Sequence, residues 1–156
     1  MYSIELIAKY IIWLYQQAAE RITNLLLQKM CYYAQAWYLA NFHKHLFEED
    51  FQAWIYGPVC PQLYKTYKEF GKDGVEIAIN QNELCQISEN DKQYLQEVVA
   101  AYSKFSAIEL MLMSHEEAPW KNARKGLAAD QQCFNVIPKE EIEQYFSEKI
   151  NGESKN

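Results

Sequence analysis

The chain has 156 residues, of which 49% are hydrophobic and 23% charged, so it is one domain's worth of globular sequence that buries a core without disulfides or metals. Fifteen basic residues against 21 acidic ones leave a net charge of −6, which argues against a general phosphate-backbone binder, since that needs a basic stripe. The same balance suits a partner with a basic face, or simply keeps the surface solvated.

Ile4, Ile7, Ala8, Ile11, Ile12, Leu14, Tyr15 and Ala18 share a broad stripe, with Glu5, Lys9, Gln16 and Gln17 mostly opposite, which predicts a helix over residues 3–19. Its longest uncharged apolar run is too short for a signal peptide or a membrane span. Thr23 caps a second helix reaching about Phe42. Leu26, Leu27, Met30, Cys31, Tyr33, Ala34, Trp37 and Tyr38 nearly encircle it, and a helix apolar on most sides is central.

Phe51 to Tyr56 alternates and reads as a short strand, stopped by Gly57-Pro58. A third helix follows, with Pro58 or Pro61 in its first turn, Leu63, Tyr64, Tyr67 and Phe70 at helical spacing and Gly71 at its end. Val75, Ile77 and Ile79 alternate, which predicts a short strand. Ser88 and Ser106 each open a helix with an acidic residue three positions on. Pro119-Trp120 starts a short helix to about Lys125, Phe134 to Ile137 is a strand candidate for pairing near Trp54, and Pro138 begins the last helix. The expected fold is mainly α: a compact single-domain helical bundle, residues 1–150, around a central aromatic-rich helix, with a minor short β-sheet or hairpin. Residues 151–156 are expected to fray.

Trp120 and Arg124 share a helix face, so the guanidinium stacks on the indole or pairs with Glu116 or Glu117. The pair is either an interface anchor or a clamp docking this segment onto the core; a single buried Trp usually packs, which favours the clamp. Tyr32, Tyr33, Trp37, Tyr38 and Phe42 cannot all face inward, so some ring reaches the surface. His43-x-His45 lacks a third ligand at local spacing, so solvated histidines and no metal are expected. Cys60 sits where a helix start lowers a thiol pKa, with His115 as the one candidate base. No catalytic residue and no cofactor are assigned. Cys31, Cys60, Cys85 and Cys133 contain no C-x-x-C, which fits reduced thiols in a cytoplasm.

Ordered matches add a family. Leu27-Gln28-Lys29 leads into Tyr33 and Trp37. Leu46-Phe47 follows, then Ala53-Trp54, Tyr56-Gly57-Pro58-Val59 and Tyr64; later come Ser106-Ala107, Leu110, Ser114-His115, Pro119-Trp120 and Arg124. Over roughly residues 4–147 this resembles the Panacea domain of SocA-like antitoxins and phage-associated GepA-like proteins, with Cys60 and Ser114 standing where relatives often carry an aliphatic residue and a Thr. The resemblance implies an antitoxin that neutralises a co-encoded protein toxin by direct contact, with delivery to a Clp-type protease as a second route. It carries over no catalytic residues. Some relatives add a DNA-binding segment for which this chain leaves no room, so no nucleic-acid contact is expected. Gln28, Lys29, Tyr33, Trp37, Trp54, Tyr56, Gly57, Pro58, Tyr64, Trp120 and Arg124 are the candidates for scaffold or partner contact. The alternatives are a phage or host interaction module without a toxin, or a Cys60/His115 enzyme.

Overall fold

Helix α1 covers Ile4–Gln17 and α2 covers Asn24–Phe42 in the computed structural model, which describes residues 1–154. Ser3 and Thr23 cap them, each side chain accepting from the amide three residues on. Leu27, Met30, Cys31, Tyr32, Tyr33, Ala34 and Ala36 of α2 are fully buried, and α2 packs against α1 and most of the later elements. The near-continuous apolar circumference that marks it as central in the sequence is therefore wrapped on all sides.

The hairpin pairs β1 (Gln52–Trp54) with β2 (Gly57–Val59), antiparallel, in the register Gln52–Val59, Ala53–Pro58 and Trp54–Gly57. Gly57-Pro58 thus continues the sheet instead of stopping it, for a reason of register. Ala53 turns its amide toward Asn135 and its carbonyl toward Arg124, away from β2. Pro58, directly opposite, sits where the ladder asks for no amide donor. Gly57 follows the Ile55-Tyr56 turn at φ +90°, a conformation that favours glycine.

Helix α3 (Pro61–Tyr67) starts with Pro61 after the extended Cys60 and ends in a 3-10 turn closed by Gly71. Residues 75–79 form no strand. Val75 is buried and donates to Ile22, and Gln16 donates to the Ile77 carbonyl. The alternation of this segment records burial against the core without a neighbouring strand to pair with. A short helix absent from the sequence prediction follows, α4 (Gln81–Leu84), capped by Asn80.

Helices α5 (Glu89–Tyr102) and α6 (Ala107–His115) begin at Ser88 and Ser106. Only Ser106 closes the full reciprocal box with Glu109; Asp91 turns its carboxylate to the Tyr2 and Tyr38 hydroxyls instead. Helix α7 is Ala118–Ala123 and α8 is Lys139–Ser154, starting one residue after Pro138. The helix therefore runs through 151–154, where a frayed tail is expected; residues 155 and 156 lie outside the described part. Residues 134–137 do follow β1, through Ala53 N–H to Asn135, Ile137 N–H to Phe51 and a Gln52–Val136 bridge, but as a single bridge rather than a third strand.

Gln35, buried on α2, donates to the Phe47 carbonyl at 2.7 Å and accepts from the Leu46 amide at 2.8 Å. Gln35→Leu strands both peptide groups in the interior and is expected to destabilise the fold by about 2–4 kcal/mol, read as a lowered urea midpoint at unchanged slope.

Candidate functional site

Two consecutive polar residues of α2 hold the backbone just after the hairpin turn. Lys29 is completely buried and its Nζ donates to the Pro58 carbonyl at 2.9 Å. Gln28, also buried, accepts from the Cys60 amide at 3.0 Å and donates to Asn24, which donates to the Tyr64 carbonyl. Burial brings the Lys29 amine down to about 7. A side chain at Gly57 would strike Ser114 Oγ at 2.7 Å and Lys29 Cε at 2.8 Å, so glycine is required here by contact as well as by φ.

Helix α7 holds the other edge of the hairpin. Trp120 Nε1 donates to the Trp54 carbonyl at 2.8 Å, and Arg124 Nη1 donates to Ala53 at 2.6 Å. Arg124 Nη2 donates to the carbonyls of Ala128 and Gln131, binding the 124–131 turn. The guanidinium lies 4.5 Å from the Trp120 ring centroid, and His115 stacks on the same indole at 4.0 Å. Trp120 and Arg124 are 4% and 1% exposed, so they form a clamp inside the protein. Of the two pairings open in the sequence, the stack is made and the ion pair is not. Glu116 meets Lys121, and Glu117 receives the Tyr33 hydroxyl. Burial raises the Glu117 carboxyl to about 7, against a smaller opposing effect of that hydrogen bond.

No cysteine–histidine pair is poised here. Cys60 does precede the first residue of α3, but burial outweighs the amide hydrogen bonds there and pushes its thiol up, not down. His115 is committed to the Ile55 carbonyl at 2.8 Å and to Trp120. His43 and His45 face Glu143 and Glu48, and among the described residues no group of three or more His, Cys, Asp or Glu is arranged for a metal ion. Nor is any described helix long and apolar enough to cross a membrane.

The candidate residues thus divide. Gln28, Lys29, Tyr33, Gly57, Pro58, Trp120 and Arg124 are inside. Trp54 and Tyr64 are half-buried and Tyr56 is exposed, all three beside the hairpin. Trp37 lies elsewhere, with its Nε1 on the Tyr102 hydroxyl, in a cleft of about 500 Å³ between α2 and α5. Phe42, at the rim of that cleft, is the ring of the α2 series that reaches the surface most fully. Sequence patterning missed Phe134, exposed against the Trp54 ring, and Val136, exposed opposite Gln52. Their alternation is visible in the sequence, but only their neighbours show that the outward side carries the apolar residues.

Comparison with known proteins adds a family to this geometry. The model described as Antitoxin SocA-like, Panacea domain, matches residues 27–121. Antitoxin SocA from Caulobacter vibrioides (strain NA1000 / CB15N) is 28% identical over 109 residues, covering 64% of this chain and 58% of that relative. The similarity therefore spans little more than half the relative's length. No solved structure gives a significant match.

Trp120→Ala removes a buried ring, its hydrogen bond and the platform for Arg124 and His115, and is expected to cost about 3–5 kcal/mol in denaturant unfolding. Two buried groups also set opposite pH slopes. The unfolded chain keeps the Lys29 proton up to 10.5 while the folded one releases it near 7, so this lysine makes stability rise with pH across that window. Folded Glu117 keeps its proton to about 7 while the unfolded chain loses it at 4.5, so stability falls with rising pH between those values. Lys29→Met should flatten the alkaline limb and Glu117→Gln the acidic one, in unfolding free energies measured across pH.

Proposed function

This chain belongs to the SocA-like antitoxin, Panacea domain family, and we propose that it is an antitoxin that neutralises a co-encoded protein toxin by binding it. The family match over residues 27–121 carries this reading. The architecture supports it: a scaffold in which Gln28, Lys29, Gln35, Trp120 and Arg124 are occupied in holding backbone, beside a half-exposed aromatic surface at the hairpin. Shape-matched aromatic surfaces of this kind supply binding energy at low rotamer cost. The charge of −6 favours association with a toxin whose working surface is basic. The proposal places the protein in the cytoplasm with its toxin. Occlusion of the toxin is the primary mode, and handing it to a Clp-type protease is the secondary one.

The test is co-expression with the adjacent reading frame. The neighbour alone should arrest growth, and the pair should restore it. A neighbour that is harmless alone, or toxicity that this chain leaves untouched, removes the antitoxin reading. Restoration at unchanged toxin level in cells lacking Clp proteases assigns the effect to occlusion.

A further inference from the structure

The outward side of the hairpin and the strip beside it form one apolar surface. Tyr56, Phe134 and Val136 are 52%, 60% and 47% exposed. Trp54 joins them: its ring meets Phe134 edge-on at 5.9 Å and Tyr64 at 5.2 Å. A cleft of about 150 Å³ opens between Trp54, Tyr56 and Phe134. The Trp54 indole N–H is satisfied by Gln52 at 2.8 Å and the Trp54 carbonyl by Trp120. A partner can therefore dehydrate this ring without stranding a polar group. The backbone beneath is fixed by Lys29, Trp120 and Arg124, so little ordering remains to be done on binding.

The two segments that carry this surface are net acidic, with the exposed Lys65 and Lys125 just beyond their ends. Residues 48–64 carry Glu48, Glu49 and Asp50 and no lysine or arginine; residues 127–144 carry Asp130, Glu140, Glu141 and Glu143 against Lys139 alone. Lys139 is itself held by Asp50, and the two cations directly behind the hairpin, Lys29 and Arg124, are buried. Glu48, Asp50, Asp130 and Glu140 are exposed. An aromatic centre with an acidic surround complements an apolar pocket rimmed by lysine or arginine.

We propose that the surface of Trp54, Tyr56, Phe134 and Val136 is the face on which this chain grips its toxin, the toxin presenting an apolar pocket with a basic rim. This rests on the antitoxin reading and adds the contact face and the chemistry of the partner. A second exposed apolar pair, Ile108 and Leu112 on α6, 63% and 55% exposed, serves as the comparison surface.

The experiment measures binding of the purified product of the adjacent reading frame by calorimetry, alongside growth rescue. Tyr56→Asp and Phe134→Ser, both with wild-type melting, should each weaken binding by about 30-fold or more and lose rescue. Asp130→Lys with Glu140→Lys should weaken it further at low salt than at high salt. Ile108→Asp should bind like the wild type. Wild-type binding that survives both Tyr56→Asp and Phe134→Ser overturns the proposed face while leaving the antitoxin reading intact, as does loss of binding in Ile108→Asp alone. If Phe134→Ser only converts a dimer of this chain to a monomer and rescue persists, the face joins two copies and the proposal is overturned. If the wild type neither binds nor rescues, the antitoxin reading falls and this proposal with it.

Discussion

The fold depends on polar side chains of a buried helix reaching out to peptide groups that the short hairpin and its flanks leave unpaired. The segment from Leu46 to Cys60 is largely interior, yet it forms only two three-residue strands. Interior peptide groups must be paired, and a hairpin this short pairs few of them. Gln35 takes Leu46 and Phe47, Lys29 takes Pro58, and Gln28 takes Cys60. An all-apolar α2 would fill the same volume and leave these groups unsatisfied. This explains why the central helix carries glutamines and a lysine at positions where aliphatic residues would otherwise serve.

The opposite edge of the hairpin is closed by side chains in the same way. Arg124 and Trp120 donate to consecutive carbonyls of β1, and the strip at 135–137 supplies a partial third strand. Arg124 also closes the turn at 124–131. One guanidinium thereby fixes both the hairpin and the start of the segment that returns alongside it, its charge spread over carbonyls and an indole rather than set against a carboxylate. Such a hub is well placed to position Trp54 and Phe134 relative to each other, which local sequence leaves free.

This organisation separates two jobs among residues that stand together in the sequence. Between Trp54 and Pro58, exposed and buried residues stand side by side. Gly57 is squeezed against Lys29 and Ser114, whereas Tyr56 beside it is more than half exposed. A scaffold residue and a candidate contact residue are thus immediate neighbours, and a short recurring string such as Tyr56-Gly57-Pro58 mixes both roles.

The sequence by itself determined the helices with clear caps and periodicity: Thr23 opening α2, Ser106 with Glu109 opening α6, and the central place of α2. These are local, set by hydrogen bonds within one turn and by which faces are apolar. It also carried the ordered matches that reveal the family. Tertiary structure alone decided what is made at a distance. Pro58 pairs within the sheet because its register asks for no donor. Residues 75–79 form no strand, Val75 bonding to the Ile22 carbonyl and Ile77 to the Gln16 side chain instead of to a ladder. Burial pushes the Cys60 thiol up despite its place at a helix start, and Glu117 goes to Tyr33 instead of Arg124. Phe134 joins Trp54 at the surface across about eighty residues of chain. Each of these turns on which group arrives within hydrogen-bonding or van der Waals reach after folding, and spacing along the chain does not encode that.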